Sequence, residues 1–252
     1  MDRQQENEFS IKAKNWLSQA YYRQQPKLTP FLTPREQQLL EGYRKSYEGL
    51  SLAWHGGFEG AERRRCLIHL FGEDVDLEAF AIQGFALEYP KKFATVEHRQ
   101  VLGALMGLQI DRSRIGDIIV DEKGDVYVAV MDEMAAYIKE HLLSAGSTQI
   151  RLKEMDLSQV KREEKFEESE IMVASMRLDA IVASILKLSR AQAADCFKEG
   201  RIQLNYQLEQ NHSRTCQVGD LLSIKRYGRC RILEQVRMTK NEKFVLRIGK
   251  TI

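Results

Sequence analysis

Arg190 sits in the first turn of a predicted helix opened by the capping box Ser189-Arg190-Ala191-Gln192. The positive end of the helix macrodipole disfavours a cation there unless an anion shares the site. A phosphate would relieve that cost, because the backbone N–H groups at a helix start are themselves anion donors. Lys187, Lys198 and Arg201 are close enough in sequence to flank such a seat, and Arg177 lies off the apolar stripe of the preceding helix, toward solvent. The chemistry expected of these residues is capture of a phosphate backbone.

Other reactive side chains form no catalytic constellation. The histidines His55, His69, His98, His141 and His212 show no metal-binding spacing, and Cys66, Cys196, Cys216 and Cys230 include no C-x-x-C pair. No metal site is expected, and the cysteines read as reduced packing thiols. Asp179 is the one tempting carboxylate, but inside the helix pair a capping or arginine-pairing role is expected of it. No Gly-rich cofactor loop follows a strand, and no G-x-S-x-G elbow occurs. The chain is therefore expected to be no enzyme and to need no cofactor.

The elements that must position these residues follow from periodicity. Leu178, Ile181, Val182, Ile185 and Leu186 form a helical stripe within 176–188. The helix begun at Ser189 ends at Gly200, which tolerates the left-handed conformation. Short strands follow: Arg201 to Asn205, then the turn Val218-Gly219-Asp220 into Leu221 to Arg226, and a hairpin around Thr239 to Glu242. In the last strand Phe244, Leu246 and Ile248 face one way, Lys243 and Arg247 the other. Asn205, Lys225, Arg226, Arg229 and Arg231 join the candidate RNA contacts.

Charge is unevenly distributed along the 252 residues: 171–252 hold 15 Lys and Arg against 7 Asp and Glu, and 1–170 hold 23 against 29. A module of net +8 attracts polyanions, because neutralising phosphates releases counterions. No stretch reaches the eighteen or so apolar residues of a membrane span, and MDRQQENEFS is polar, so a cytoplasmic protein with no membrane partner is expected.

Upstream, residues 1–65 read as helical, with Phe9, Ala13, Trp16, Leu17, Ala20 and Tyr21 at helical spacing and a capping box at Thr33-Pro34-Arg35-Glu36. A turn at Trp54-His55-Gly56-Gly57-Phe58 leads to Glu62-Arg63-Arg64-Arg65, a run that either touches phosphate or is solvated. From 66 to 153 strands at 66–71, 79–89, 117–121, 125–130 and 148–153 alternate with helices at 97–110 and 132–145. Without the first strand the order is βαββαβ, that of ferredoxin-like domains, whose open sheet often binds RNA. Residues 154–170 carry seven acidic and three basic side chains and read as a connector, partly helical for want of Gly and Pro.

Arg177-Leu178-Asp179, Leu188-Ser189-Arg190, Gly200-Arg201-Ile202, Asn205 and Val218-Gly219-Asp220, in that order, resemble the S4 (αL-type) RNA-binding domain. The likeness extends to the bacterial YlmH-like S4 proteins. It rests on His98-Arg99 and Leu102 to Leu108, on Arg112 with Ile115-Gly116-Asp117-Ile118, and on Gly56-Gly57-Phe58 with Ala61-Glu62-Arg63. Gln100, Gln109 and Tyr206 depart from the family pattern, the first standing for an acidic residue and the others for Gly. Gly103 and Gly107, one turn apart, are expected to let their helix lie close to the sheet, while His98 and Arg99 near its start are phosphate candidates.

The resemblance implies an α+β chain: a helical region 1–65, a ferredoxin-like domain 66–153, the connector 154–170 and an S4 domain 171–252. It further implies a ribosome-associated protein that binds rRNA or tRNA, engaging the large ribosomal subunit in quality control of stalled translation. The alternative that the S4 resemblance implies is an RNA-modifying enzyme of the pseudouridine-synthase kind. Genes of the family often neighbour cell-division genes, which raises an adaptor role in which 1–170 holds a protein partner.

Overall fold

The computed structural model describes residues 3–161, 165–239 and 242–251, arranged as two compact units, Asn7–Glu163 and Met1–Glu6 with Glu164–Ile252. Helix α1 (Arg3–Arg23) buries Phe9, Ala13, Leu17 and Ala20 within the larger unit, the stripe its periodicity predicts. Strand β1 (Lys27–Leu28) leads to helix α2 (Pro34–Arg44), whose Thr33 cap is a complete capping box with Glu36 and Pro34 at the helix start.

The expectation of a wholly helical 1–65 fails at β2 (Leu50–His55), which pairs antiparallel with β3 (Arg65–Leu70); β1 pairs with the other edge of β3. Residues on both sides of the 65/66 boundary thus share one sheet. The strand was obscured because all of β2 after Leu50 is only half-buried and carries no clean alternation.

A second sheet is built from β4 (Ile82–Glu88), β5 (Ile115–Val120), β6 (Val126–Met131) and β9 (Arg151–Glu154) in the order β5-β6-β4-β9, every pair antiparallel. Helices α3 (His98–Gly107) and α4 (Asp132–His141) pack Val101, Leu105 and Ile138 against Phe85, Val128 and Val130 on one face. Helix α4 ends at His141 rather than at 145, because Ser144–Ala145 (β7) and Thr148–Gln149 (β8) close a small hairpin on Gly146 at positive φ.

The other face of this sheet is not open for bases. Phe31, Phe58, Ala61, Leu157 and Val160 cover it at Ala129 and Met131. Gly116 makes the approach possible, since a Cβ there would lie 2.9 Å from the Phe31 ring and 3.0 Å from Ala129 Cβ.

The predicted connector is largely structure. Leu157 and Val160 belong to that core, Leu157 on a single 3-10 turn, and Phe166–Val173 forms strand β10; the residues between, 162–164, lie outside the described residues. Acidic residues masked the strand, since Glu167, Glu168 and Glu170 are all exposed on a sheet edge, where charge blocks further pairing.

The second unit pairs β10 with a meander. Helices α5 (Leu178–Leu186) and α6 (Arg190–Lys198) precede β11 (Ile202–Leu204), β12 (Gln207–Leu208), β13 (Leu221–Ile224), β14 (Gly228–Met238) and β15 (Phe244–Thr251), ordered β10-β15-β14-β13-β11-β12. Leu178, Ile181, Val182 and Ile185 pack with Phe197, Ile202, Leu222, Ile232, Leu246 and Ile248. Each such side chain stabilises the fold by about 1.5–3 kcal/mol relative to exposure. The alternation expected of the last strand holds, with Leu246 and Ile248 in the core and Arg247 outside, paired with Glu234. Lys240 and Asn241 of the predicted hairpin turn lie outside the described residues.

Candidate nucleic-acid interface

The corner between α5 and α6 brings together four of the side chains singled out in the sequence. Lys187 ends α5 in the left-handed conformation, φ 53°, which turns the chain sharply enough for Ser189 to cap α6 two residues later. The Ser189 hydroxyl accepts the Gln192 N–H, and the Gln192 side chain returns to the Ser189 N–H at 3.0 Å. Lys187, Ser189 and Arg190 are all exposed.

The anion beside Arg190 is supplied by the protein itself. Arg190 Nη2 lies 3.7 Å from Asp179 Oδ1, so the macrodipole cost is offset by a carboxylate, not solely by a bound phosphate as the sequence suggested. Asp179 is buried and also receives Arg177 in a two-point contact, Nε to Oδ1 at 3.1 Å and Nη2 to Oδ2 at 2.9 Å. Arg177 donates further to Ser213 Oγ at 2.8 Å, and His212 Nδ1 stands 3.6 Å from Asp179 Oδ2. The Arg177 hydrogen bond, more than the charge of Arg190, holds the Asp179 carboxyl below its ordinary range. Asp179 thus has the arginine-pairing role expected of it.

The loop 209–215 completes the corner. Carbonyls of Arg214 and His212 accept the N–H groups of Leu178 and Asp179, so the start of α5 is already satisfied by protein. The start of α6 differs: the cap takes the Gln192 N–H, and exposed Arg190 and Ala191 carry the two N–H groups before it. One carboxylate against Arg177, Arg190 and Lys187 leaves this corner cationic.

The remaining candidates are dispersed. Lys198 pairs with Asp195 at 3.1 Å one turn back on α6, and Arg201 Nη1 lies 3.5 Å from Glu199. Asn205 is consumed structurally: its amide donates to Asp220 Oδ1 at 2.8 Å and accepts the Leu221 N–H at 2.9 Å, which fixes the β11–β12 turn. Lys225 and Arg226 occupy the exposed β13–β14 turn. Arg229 and Arg231 project from the sheet face away from the helices, over the rings of Tyr206 and Phe166 at 5.8 and 5.9 Å.

In the larger unit His98 and Arg99 are exposed at the start of α3, where Arg99 pairs with Glu97 at 2.7 Å. Gln100 closes a capping box with Glu97, doing as an amide what an acidic residue would do there. Gly103 and Gly107 do not face the sheet; both are exposed, and a Cβ at either meets nothing within 4 Å. The buried face of α3 is Val101 and Leu105.

The arginine run is engaged by the protein rather than simply solvated. Arg65 is buried and donates to the carbonyls of Thr29, Phe80 and Ala81; Arg63 donates to those of Phe31, Arg112 and Ile115. Arg64 holds Gln37 Oε1. Burial pulls Arg65 down to about 10, still protonated at neutral pH. Asp117, also buried, accepts the Glu62 and Arg63 N–H groups, a role that the Ile115-Gly116-Asp117 segment did not announce in the sequence. Among the described residues no cluster of three His, Cys, Asp or Glu could hold a metal ion, and no helix is long and apolar enough to cross a membrane.

Three comparisons bear on this geometry. Residues 76–159 match the family model described as "Putative RNA-binding domain in YlmH". The chain is 35% identical over 247 residues to Ribosome-associated protein quality control protein P2 of Bacillus subtilis, covering 96% of this chain and 94% of that protein. Its structure resembles that of cell division protein ylmH from Streptococcus pneumoniae, with TM-score 0.55 and 25% identity over 64% of this chain and 98% of that one.

Proposed function

The chain belongs to the YlmH family, and from that premise we propose that it is a non-catalytic RNA-binding protein of ribosome-associated quality control. In this reading residues 171–252 form an S4 domain whose α5–α6 corner grips structured rRNA or tRNA on the large ribosomal subunit when translation stalls, in the cytoplasm. The observation that carries it is the set of Arg177, Lys187 and Arg190 around one helix corner, beside the N–H groups at the start of α6. Such a site reads backbone shape rather than base sequence. The order β5-β6-β4-β9, all antiparallel with α3 and α4 on one face, supports a ferredoxin-like middle domain. Its second face is covered, so RNA meets this domain at the exposed start of α3 rather than across the sheet.

Sedimentation through a sucrose gradient of bacterial lysate tests this, with the full chain beside its Lys187→Glu/Arg190→Glu variant. Wild type is expected with the 50S particles and the variant near the top. Co-migration of both with 50S particles would remove the corner from ribosome binding, and retention of both at the top would remove the ribosome. The adaptor reading predicts a protein partner that residues 1–170 retain without RNA.

A further inference from the structure

The N-terminal helices carry a second surface of ordered aromatic and basic side chains outside the segment matched by the RNA-binding model. Lys14 and Tyr21 lie two turns apart on one side of α1, while Tyr43 near the end of α2 and Tyr47 just beyond it lie four residues apart. They meet in two rungs: Lys14 Nζ sits 5.2 Å from the Tyr43 ring centroid, and the Tyr21 and Tyr47 rings meet edge to face at 5.7 Å. Tyr22 extends the row, its ring 5.3 Å from Tyr21 and 77% exposed.

These rings are not needed by the core, which takes Phe9, Ala13, Leu17 and Ala20 from α1 and Leu40 from α2. The local charge is mainly positive, with Glu41 and Glu48 the acidic residues flanking Tyr43 and Tyr47. From Lys12 to Lys27 the chain has Lys12, Lys14, Arg23 and Lys27 and no acidic residue, and Arg44 and Lys45 lie between Tyr43 and Tyr47. Lys12 projects roughly 200° around α1 from Lys14, at about 100° per residue, and so lies off the ladder.

We propose that this tyrosine ladder is a separate nucleic-acid contact that stacks unpaired RNA bases, with Lys14, Arg23 and Lys45 on the phosphates. Every base has a π-face, so aromatic platforms with adjacent cations hold single strands with little sequence preference. A protein partner suits the patch less well, since lysine is depleted from protein–protein interface cores and here a lysine lies directly over a ring. The corner of the other unit grips backbone; the ladder takes bases that have left a helix.

The test measures full-chain affinity for a fluorescent twelve-nucleotide oligouridine and for a blunt twelve-base-pair RNA duplex. Tyr22→Ala, which removes a ring 77% exposed, and Tyr21→Leu are expected to weaken oligouridine binding by roughly tenfold each, within the range for lost base stacking, and to leave the duplex unchanged. Tyr22→Phe keeps the ring and should bind as wild type, and unchanged thermal melting of Tyr22→Ala shows that the fold is intact. The corner variant Lys187→Glu/Arg190→Glu should lose the duplex and keep the single strand. Equal oligouridine affinity of wild type and Tyr22→Ala, equal losses in Tyr22→Phe and Tyr22→Ala, or loss of both RNAs on changing the corner would each overturn the ladder.

Discussion

Arg177 and Asp179, two residues apart at the start of α5, are joined by two parallel contacts of 3.1 and 2.9 Å, and Arg190 of the next helix approaches the same carboxylate at 3.7 Å. One buried acid thus sets the positions of two candidate RNA-contacting arginines on neighbouring elements.

Removing that acid should separate stability from binding. Asp179→Ala loses the Arg177 contacts and the Ala180 N–H bond, which predicts a loss on the order of 1 kcal/mol, read as a shift of denaturant midpoint without change of slope. RNA affinity should not fall, because the corner loses its negative charge and keeps its three cations. A loss of binding larger than the loss of stability would show that Asp179 touches the RNA or orders the arginines more tightly than its geometry requires.

The same carboxyl predicts a sensitivity to acid. Its folded pKa is depressed, chiefly by the Arg177 hydrogen bond, so its contribution is present above the unfolded value near about 4 and is lost as pH falls through the lower folded value. Wild type should therefore lose more stability than Asp179→Asn between about pH 5 and pH 3. Parallel stability curves for the two proteins would contradict this.

Much of the second unit was legible, because its signals are local. The α5 stripe, the Ser189 box and the alternation of β15 each follow from one element's own period. What stayed hidden depends on distant partners. Arg63 and Arg65 read as surface charge because the carbonyls that cage them come from as far away as Ile115 and Ala81. Asn205 read as a binding residue because Asp220 is fifteen residues downstream. The departures from the family pattern are intelligible in backbone terms. Gln109 and Tyr206 stand where Gly is expected and take positive φ, 60° and 68°, so the left-handed turns persist without glycine.

The thiols should be inert in the native state. All four cysteines are buried, and burial pushes Cys66 and Cys230 up and Cys216 up to about 12, away from the reactive thiolate. A chromogenic disulfide reagent at neutral pH should titrate four thiols in denaturant and react with folded protein only at the rate of opening. A rapid native phase from any one of them would mean that its surroundings open without global unfolding.

Gly103 offers the sharpest test of what the exposed side of α3 is for. It lies inside a helix, at negative φ, and an added Cβ would meet nothing within 4 Å, so Gly103→Ala should raise stability by about 0.5–1 kcal/mol through backbone entropy alone. Folding therefore gives no reason for glycine at this position. If the variant is more stable and binds RNA as wild type, the bare helix face is incidental. If it is more stable but binds more weakly, a methyl group on that face is obstructing a close approach, and the start of α3 at His98 and Arg99 belongs to the RNA surface.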